Sequence, residues 1–299
     1  MYGGRAVLFP SPPAPAFPPD QAHTAEAQLR YEDLAQDGRV IPLALPTSMS
    51  GLWQHVLRQH PGQRHCVAQG ILPILTRLTL TSLEAPIRVD RPIESTAGFL
   101  LAHDRDAAGQ PRLYLNIWSE LRGAGGRVGP RPPGPPVLAG RLFAEHTFTR
   151  PFAPPDRRRV TRLDVEGFPE LPEARYDAPA PATAGEAPAG ARWLDELAPD
   201  PAGVAFSLDQ TDSNQHVNSL VYIRVFLDAV QRRLAAGGHP LTVLSRAVDI
   251  AYRKPCFAGD RVRAHLRLFE LDGAIGAAGF IAGPGEEARP RCYVRAVYG

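Results

Sequence analysis

Cysteine, lysine, net charge and long apolar runs are all scarce in this chain, and each scarcity removes a class of function. Cysteine is confined to Cys66, Cys256 and Cys292, an odd, widely spaced set without a Cys-x-x-Cys pair, so neither a disulfide framework nor a zinc site is expected. Against 31 acidic residues stand 33 basic ones, and a net charge of +2 offers no global field to attract nucleic acid or an anionic membrane. Lys254 is the one lysine, so arginine carries nearly all the basic charge, a bias we assign to coding and not to function. No stretch approaches the roughly 18 consecutive apolar residues of a membrane span. The segment from Met1 to Gln21 has Arg5 as its one basic residue and no continuous apolar core, so it is not expected to be a secretory signal. A reduced, cytoplasmic protein is expected, with no metal, no cofactor, no nucleic acid and no membrane as partner.

What is present suffices for a substantial core. The 299 residues are 44% apolar, enough for one large domain or two ordinary ones. Residues 1–25 read as a proline-rich lead, because Pro12, Pro13, Pro15, Pro18 and Pro19 remove donors and favour extended backbone. Regular structure is expected from about Leu29, with Asp37-Gly38 as a hairpin signal. Met49, Leu52, Trp53, Val56 and Leu57 recur at offsets 0, 3, 4, 7 and 8, which places them on one helical face. Strand patterns follow at Ile71–Leu83, Pro86–Leu101, Arg112–Leu121 and Val137–Phe148. Residues 177–191, rich in alanine and proline, read as a linker.

The second half repeats this order. A polar cluster, Asp212-Ser-Asn214-Gln-His216-Val217-Asn218, opens a helix that is apolar nearly all round through Leu234 and stops at Gly237-Gly238. Strands follow at Thr242–Tyr252, Arg261–Leu271, Ala274–Ala282 and Arg291–Val297. Local wording repeats too: Pro86 lies eleven residues after Leu75, as Pro255 lies eleven after Leu244. A duplicated unit of helix plus sheet is the economical reading, and a buried helix wrapped by an antiparallel sheet describes the hotdog fold.

An acid, amides and an imidazole crowded at a helix start make a plausible site, because the first backbone N–H groups there are unpaired. Asp212 and Asn214 also suit an ordinary turn or cap, and Cys256 a small buried apolar position. His55 and His146 have no partner pattern and read as structural. Arg157-Arg158-Arg159 and Arg232-Arg233 are candidates for docking an acidic carrier protein by charge complementarity.

The run from Asp212 to Ile223 resembles the Asp-x-Asn-x-His-Val-Asn-Asn-x-x-Tyr signature of acyl-acyl-carrier-protein thioesterases. Tyr31-Glu-Asp, Phe148-Thr-Arg-Pro-Phe and Tyr252-Arg-Lys-Pro255-Cys256 extend the likeness from about Leu29 to Val297. The resemblance implies an α+β tandem hotdog, each half an antiparallel sheet around a central helix. The first half, 26–176, lacks the acid–amide–histidine cluster and reads as a substrate-binding or scaffolding half, followed by the linker at 177–191 and a catalytic half at 192–299. The resemblance implies Asp212, Asn214, His216 and Cys256 as the catalytic set. Asn218, Tyr222, Met49 and Trp53 are the corresponding candidates for substrate contact. The implied substrate is an acyl thioester on acyl carrier protein or coenzyme A, handled by a monomeric pseudo-dimer or a homodimer. The sequence departs from the family where a glutamate is expected before the cysteine: that position is Pro255, which can neither activate water nor form an acyl intermediate.

Two other readings remain. Asp212-x-x-x-His216 also satisfies half of the pattern of a polyketide-type double-hotdog dehydratase, but no histidine heads the His-x-x-x-Gly-x-x-x-x-Pro motif its first half needs. The proline at 255 also leaves open an acyl-binding hotdog protein without turnover.

Overall fold

The computed structural model describes residue 9 and residues 11–83 and 85–299; residues 1–8 and 10 of the proline-rich lead, and residue 84, lie outside them. The described residues form two compact units: residues 11–78 with 82–179, and residues 9 and 79–81 with 180–299. We call them the N-terminal and C-terminal units.

In the N-terminal unit, β1 (Ala22–Ala27) precedes a helical run, then come β2 (Leu72–Ser82, of which residues 79–81 count with the C-terminal unit), β3 (Ile93–Arg105), β4 (Pro111–Ala124) and β5 (Pro136–Thr149). The strands lie in the order β1-β3-β4-β5-β2, and the registers of β1 with β3, β3 with β4 and β4 with β5 are antiparallel. Strand structure thus starts seven residues before Leu29, because Ala22–Ala27 finds a ladder partner in β3, and a 3-10 turn at Pro19–Gln21 precedes it. β3 starts later than Pro86: the Arg88 guanidinium folds back on Asp90 at 2.6 and 2.7 Å and on the Arg131 carbonyl at 2.9 Å, holding residues 86–92 as a loop. The Asp37-Gly38 hairpin exists in minimal form, a single Leu34–Val40 bridge around Gly38 at φ +85°.

The expected single helix at 49–57 is broken into pieces. A 3-10 segment, Pro42–Met49, contains Pro46; it leads into one α turn, α1 (Ser50–Leu52), and a π turn at Trp53–Leu57. The π geometry is set by the Arg58 N–H reaching the Trp53 carbonyl at 3.0 Å, which makes Leu52 and Leu57, five apart, the buried pair. Met49, Trp53 and Val56 are only half-buried. A second short helix, α2 (Pro61–Ala68), follows, its proline at the first helical position where no donor is lost.

In the C-terminal unit three short strands, β6 (Arg192–Trp193), β7 (Ala198–Pro199) and β8 (Val204–Ala205), lead to α3 (Ser219–Ala236) and then β9 (Ser245–Tyr252), β10 (Arg261–Leu271), β11 (Ala274–Ala282) and β12 (Cys292–Tyr298). The main strands run β9-β12-β11-β10 with antiparallel registers, and β6, β7 and β8 pair along the edge of β10. Residues 181–185, inside the alanine- and proline-rich stretch, form a 3-10 turn whose Ala184 is fully buried.

α3 packs on this sheet through Tyr222, Ile223, Val225, Phe226, Ala229, Val230 and Leu234, a broad buried face. It is not buried all round, since Arg224 and Asp228 are exposed. Asp249, fully buried, accepts from the Arg295 guanidinium at 2.8 Å and from the Thr79 hydroxyl at 3.1 Å. Such a charge is tolerable only with its partners in place.

Candidate active site

The polar cluster folds as a closed five-residue loop ahead of α3. Thr211 and Val217 form an antiparallel bridge, the Asp212 N–H donates to the His216 carbonyl at 2.8 Å, and the Gln215 N–H donates back to the Asp212 carbonyl at 2.9 Å. Gln215 takes a left-handed φ of +64°, a conformation non-glycine residues enter at some cost and that recurs at functional loops. The loop therefore sets Asp212 and His216 opposite each other across the turn.

Asp212 Oδ1 accepts the Asn214 N–H at 2.8 Å, an Asx turn, while Oδ2 has no hydrogen bond among the described residues. The carboxylate is thus both a turn residue and a free acceptor. Asn214 is exposed, and neither its amide nor the His216 imidazole makes a hydrogen bond among the described residues. His216 is half-buried, its ring meeting the edge of Phe257 at 5.1 Å between centroids.

Asn218 caps α3: its Oδ1 accepts the Leu220 N–H at 2.9 Å, and its own N–H donates to the Gln210 carbonyl at 2.9 Å. Two of the three N–H groups from 218 to 220 are therefore occupied. Ser219 N–H is the one of them without a partner among the described residues, and it faces beyond the positive end of the helix.

The strap after β9 lies directly on this loop. The Val217 N–H donates to the Cys256 carbonyl at 2.8 Å, and the Cys256 N–H donates to the Tyr222 hydroxyl at 2.6 Å. The Cys256 side chain is fully buried, and burial pushes its thiol above the usual range, so at neutral pH it is a thiol and not a thiolate. Tyr222 is itself buried, its phenol also raised by burial, with its ring against Phe206 and Tyr252. Tyr252 in turn donates to the Ser219 carbonyl at 2.9 Å.

Pro255 is exposed, and its carbonyl accepts from the Arg291 guanidinium at 2.9 Å. Arg291 pairs with Glu286 at 2.8 Å, and Asp260 Oδ2 accepts the Phe257 N–H at 3.0 Å. Sequence reading missed Arg291, Asp260 and Tyr252 as supports of the strap. Asp260 was legible in principle, since it closes a Phe-Ala-Gly-Asp turn with Gly259 at φ +90°.

In the N-terminal unit, Trp53 lines a cavity of about 470 Å³ together with Gln54, Arg58, Gln63, Arg64 and Val67. Met49 is not among these lining residues. His146 is buried beside the Trp53 ring, 5.7 Å between centroids, and holds the Leu115 carbonyl through Nδ1 at 3.2 Å. The basic runs are largely committed elsewhere: Arg159 binds Asp106 at 2.6 Å, Arg232 forks onto buried Asp200, and Arg233 binds Asp195 at 2.9 Å. These three guanidiniums each have an acidic partner within the chain.

No family model matches this sequence, and no curated protein does. Three solved structures are similar to the chain over 93% of its length. A protein described as an oleoyl thioesterase from Lactobacillus plantarum is 16% identical, is covered over 94% of its length and superposes with a TM-score of 0.61. An acyl-ACP thioesterase from Bacteroides thetaiotaomicron is 14% identical, with 98% covered and a TM-score of 0.59. The 12:0-ACP thioesterase from Umbellularia californica is 11% identical, with 97% covered and a TM-score of 0.57. The likeness establishes the fold, an α+β tandem hotdog.

Proposed function

We propose that the chain is a thioesterase that hydrolyses acyl thioesters carried on acyl carrier protein or coenzyme A to the free acid. The observation that carries this reading is the loop at the start of α3, where Asp212 keeps a free carboxylate oxygen and Asn214 and His216 keep unpaired polar groups, all in a hotdog unit of the thioesterase type. Asp212 and His216 are half-buried and Asn214 is exposed, so these polar groups are open to a water or a ligand.

In the proposed reaction a water bound by Asp212 attacks the thioester carbonyl carbon as Asp212 takes its proton. The oxyanion is met by the Ser219 N–H and the Asn214 amide, with the dipole of α3 behind them. His216, packed against Phe257, orients the water or the carbonyl. The C–S bond then breaks, and the proton held by Asp212 passes to the departing sulfur, leaving acid and thiol. Cys256 acts here through its backbone, as the clamp on Val217 and Tyr222, because its thiol is buried and protonated. With proline at 255, Asp212 works without the second carboxylate, and since general acid–base help is about 10²–10⁴-fold, the reaction is expected to be slow. Met49 and Trp53 are kept as candidate acyl contacts within the N-terminal unit, Trp53 through the cavity it lines. Tyr222 and Asn218 contribute by holding the loop and not by touching substrate.

Free-thiol release measured across acyl-coenzyme A and acyl-carrier-protein donors tests the proposal. Turnover of at least one donor supports it. Saturable acyl binding without thiol release would contradict it and favour an acyl-binding protein, which the proline at 255 keeps as the second reading.

A further inference from the structure

The outer face of β10 carries an unassigned cavity. Along this strand Val262, Ala264, Leu266 and Leu268 are buried, so the alternating residues Arg261, Arg263, His265 and Arg267 share the opposite face. Arg267 is satisfied, its guanidinium lying 3.4 Å above the ring centre of Trp193. Arg261 and Arg263 have no ion pair, hydrogen bond or ring contact among the described residues, unlike Arg232, Arg233 and Arg295 in the same unit. These two arginines and His265 line a cavity of about 630 Å³.

The walls suit close approach of a charged group. Gly203 and Pro199 come from the segments paired to the edge of β10, and Gly283, Pro284 and Gly285 from the turn after β11. Gly203 lies beside the Arg263 guanidinium, where even an added Cβ would make only ordinary contact with Nη2, at 3.9 Å. The His265 ring is fixed by stacking on Phe280, 4.7 Å apart and 11° from parallel. Burial lowers the His265 pKa, so at neutral pH it offers an uncharged N–H while the arginines supply the charge. Glu287 is the one acid in the lining, which leaves a local excess of positive charge.

We propose that this cavity binds a phosphate-bearing small molecule, with Arg261 and Arg263 on the phosphate oxygens and His265 beside them. Guanidinium forks match phosphate geometry, and the volume falls in the range of small-molecule pockets. The site is built entirely from β10, its edge segments and the turn after β11, and it is independent of the loop at 212–216.

Calorimetric titration of the full chain with pyrophosphate, adenosine diphosphate and adenosine, at about 0.15 M salt, tests this. Pyrophosphate or the nucleotide is expected to bind saturably, and adenosine not to bind. Arg263→Gln and Arg261→Gln are each expected to weaken binding roughly tenfold or more. As both side chains are exposed, the variants should melt with the wild type. Asp212→Asn should bind as the wild type does. A nucleotide preference over pyrophosphate would identify the phosphate as part of a nucleotide; equal affinity would assign the phosphate alone. Absence of saturable binding by both phosphates, or binding unchanged in both arginine variants, would overturn the proposal.

Discussion

The Val217 N–H and the Cys256 carbonyl, 2.8 Å apart, tie the loop bearing Asp212 and His216 to the strap that follows β9. On its other side Cys256 is held by its N–H donating to the Tyr222 hydroxyl at 2.6 Å. The hydroxyl of Tyr222 is thus a structural acceptor inside the core. Tyr222→Phe leaves the Cys256 N–H buried without an acceptor, and a loss of about 1–3 kcal/mol of stability is expected. Urea unfolding of the two proteins measures it; an unchanged midpoint would show that the strap does not depend on this bond.

Asn218 opens α3 by accepting the Leu220 N–H at 2.9 Å. Asn218→Ala is expected to cost about 1 kcal/mol, and Asn218→Asp, which keeps the acceptor beside the positive helix end, to recover most of it. Thermal or urea unfolding of both variants checks the pair.

Both residues show how far the sequence could be read. The helix start and its polar loop were legible because Asp, Asn and Ser before an apolar run have one common structural outcome, and the β10 and β11 boundaries followed from alternation and turn residues alone. The helical run at 42–57 was not legible: its apolar offsets fit an α-helix, but Pro46 and the π turn at 53–57 shift which side chains reach the core. Long-range supports such as Arg291 on Pro255 and Tyr252 on Ser219 leave no local trace in sequence, because their partners are tens of residues away. The same applies to Arg232 and Arg233, whose acids Asp200 and Asp195 lie in a segment without periodicity.

His146 makes stability pH-dependent. Burial holds its pKa down to about 4, against an ordinary value of 6.5, so the folded protein resists a proton that the unfolded chain accepts. Stability from this residue is fully present above pH 6.5 and is lost as pH falls from 6.5 toward 4, below which both states are protonated. The span corresponds to roughly 3 kcal/mol at about 1.4 kcal/mol per unit. Urea unfolding at pH 7 and pH 4.5 is expected to show this loss in the wild type and a smaller one in His146→Phe. Equal losses in both would place the titration elsewhere.

The proposed hydrolysis at the 212–216 loop rests on the free carboxylate oxygen of Asp212. Asp212→Asn keeps the turn, since its amide oxygen can still accept the Asn214 N–H, but it removes the base. The most direct measurement is the rate of thiol release by folded Asp212→Asn beside the wild type on one acyl thioester. A fall of about 10²–10⁴-fold with an unchanged unfolding midpoint is the predicted result; release at the wild-type rate would contradict the assignment.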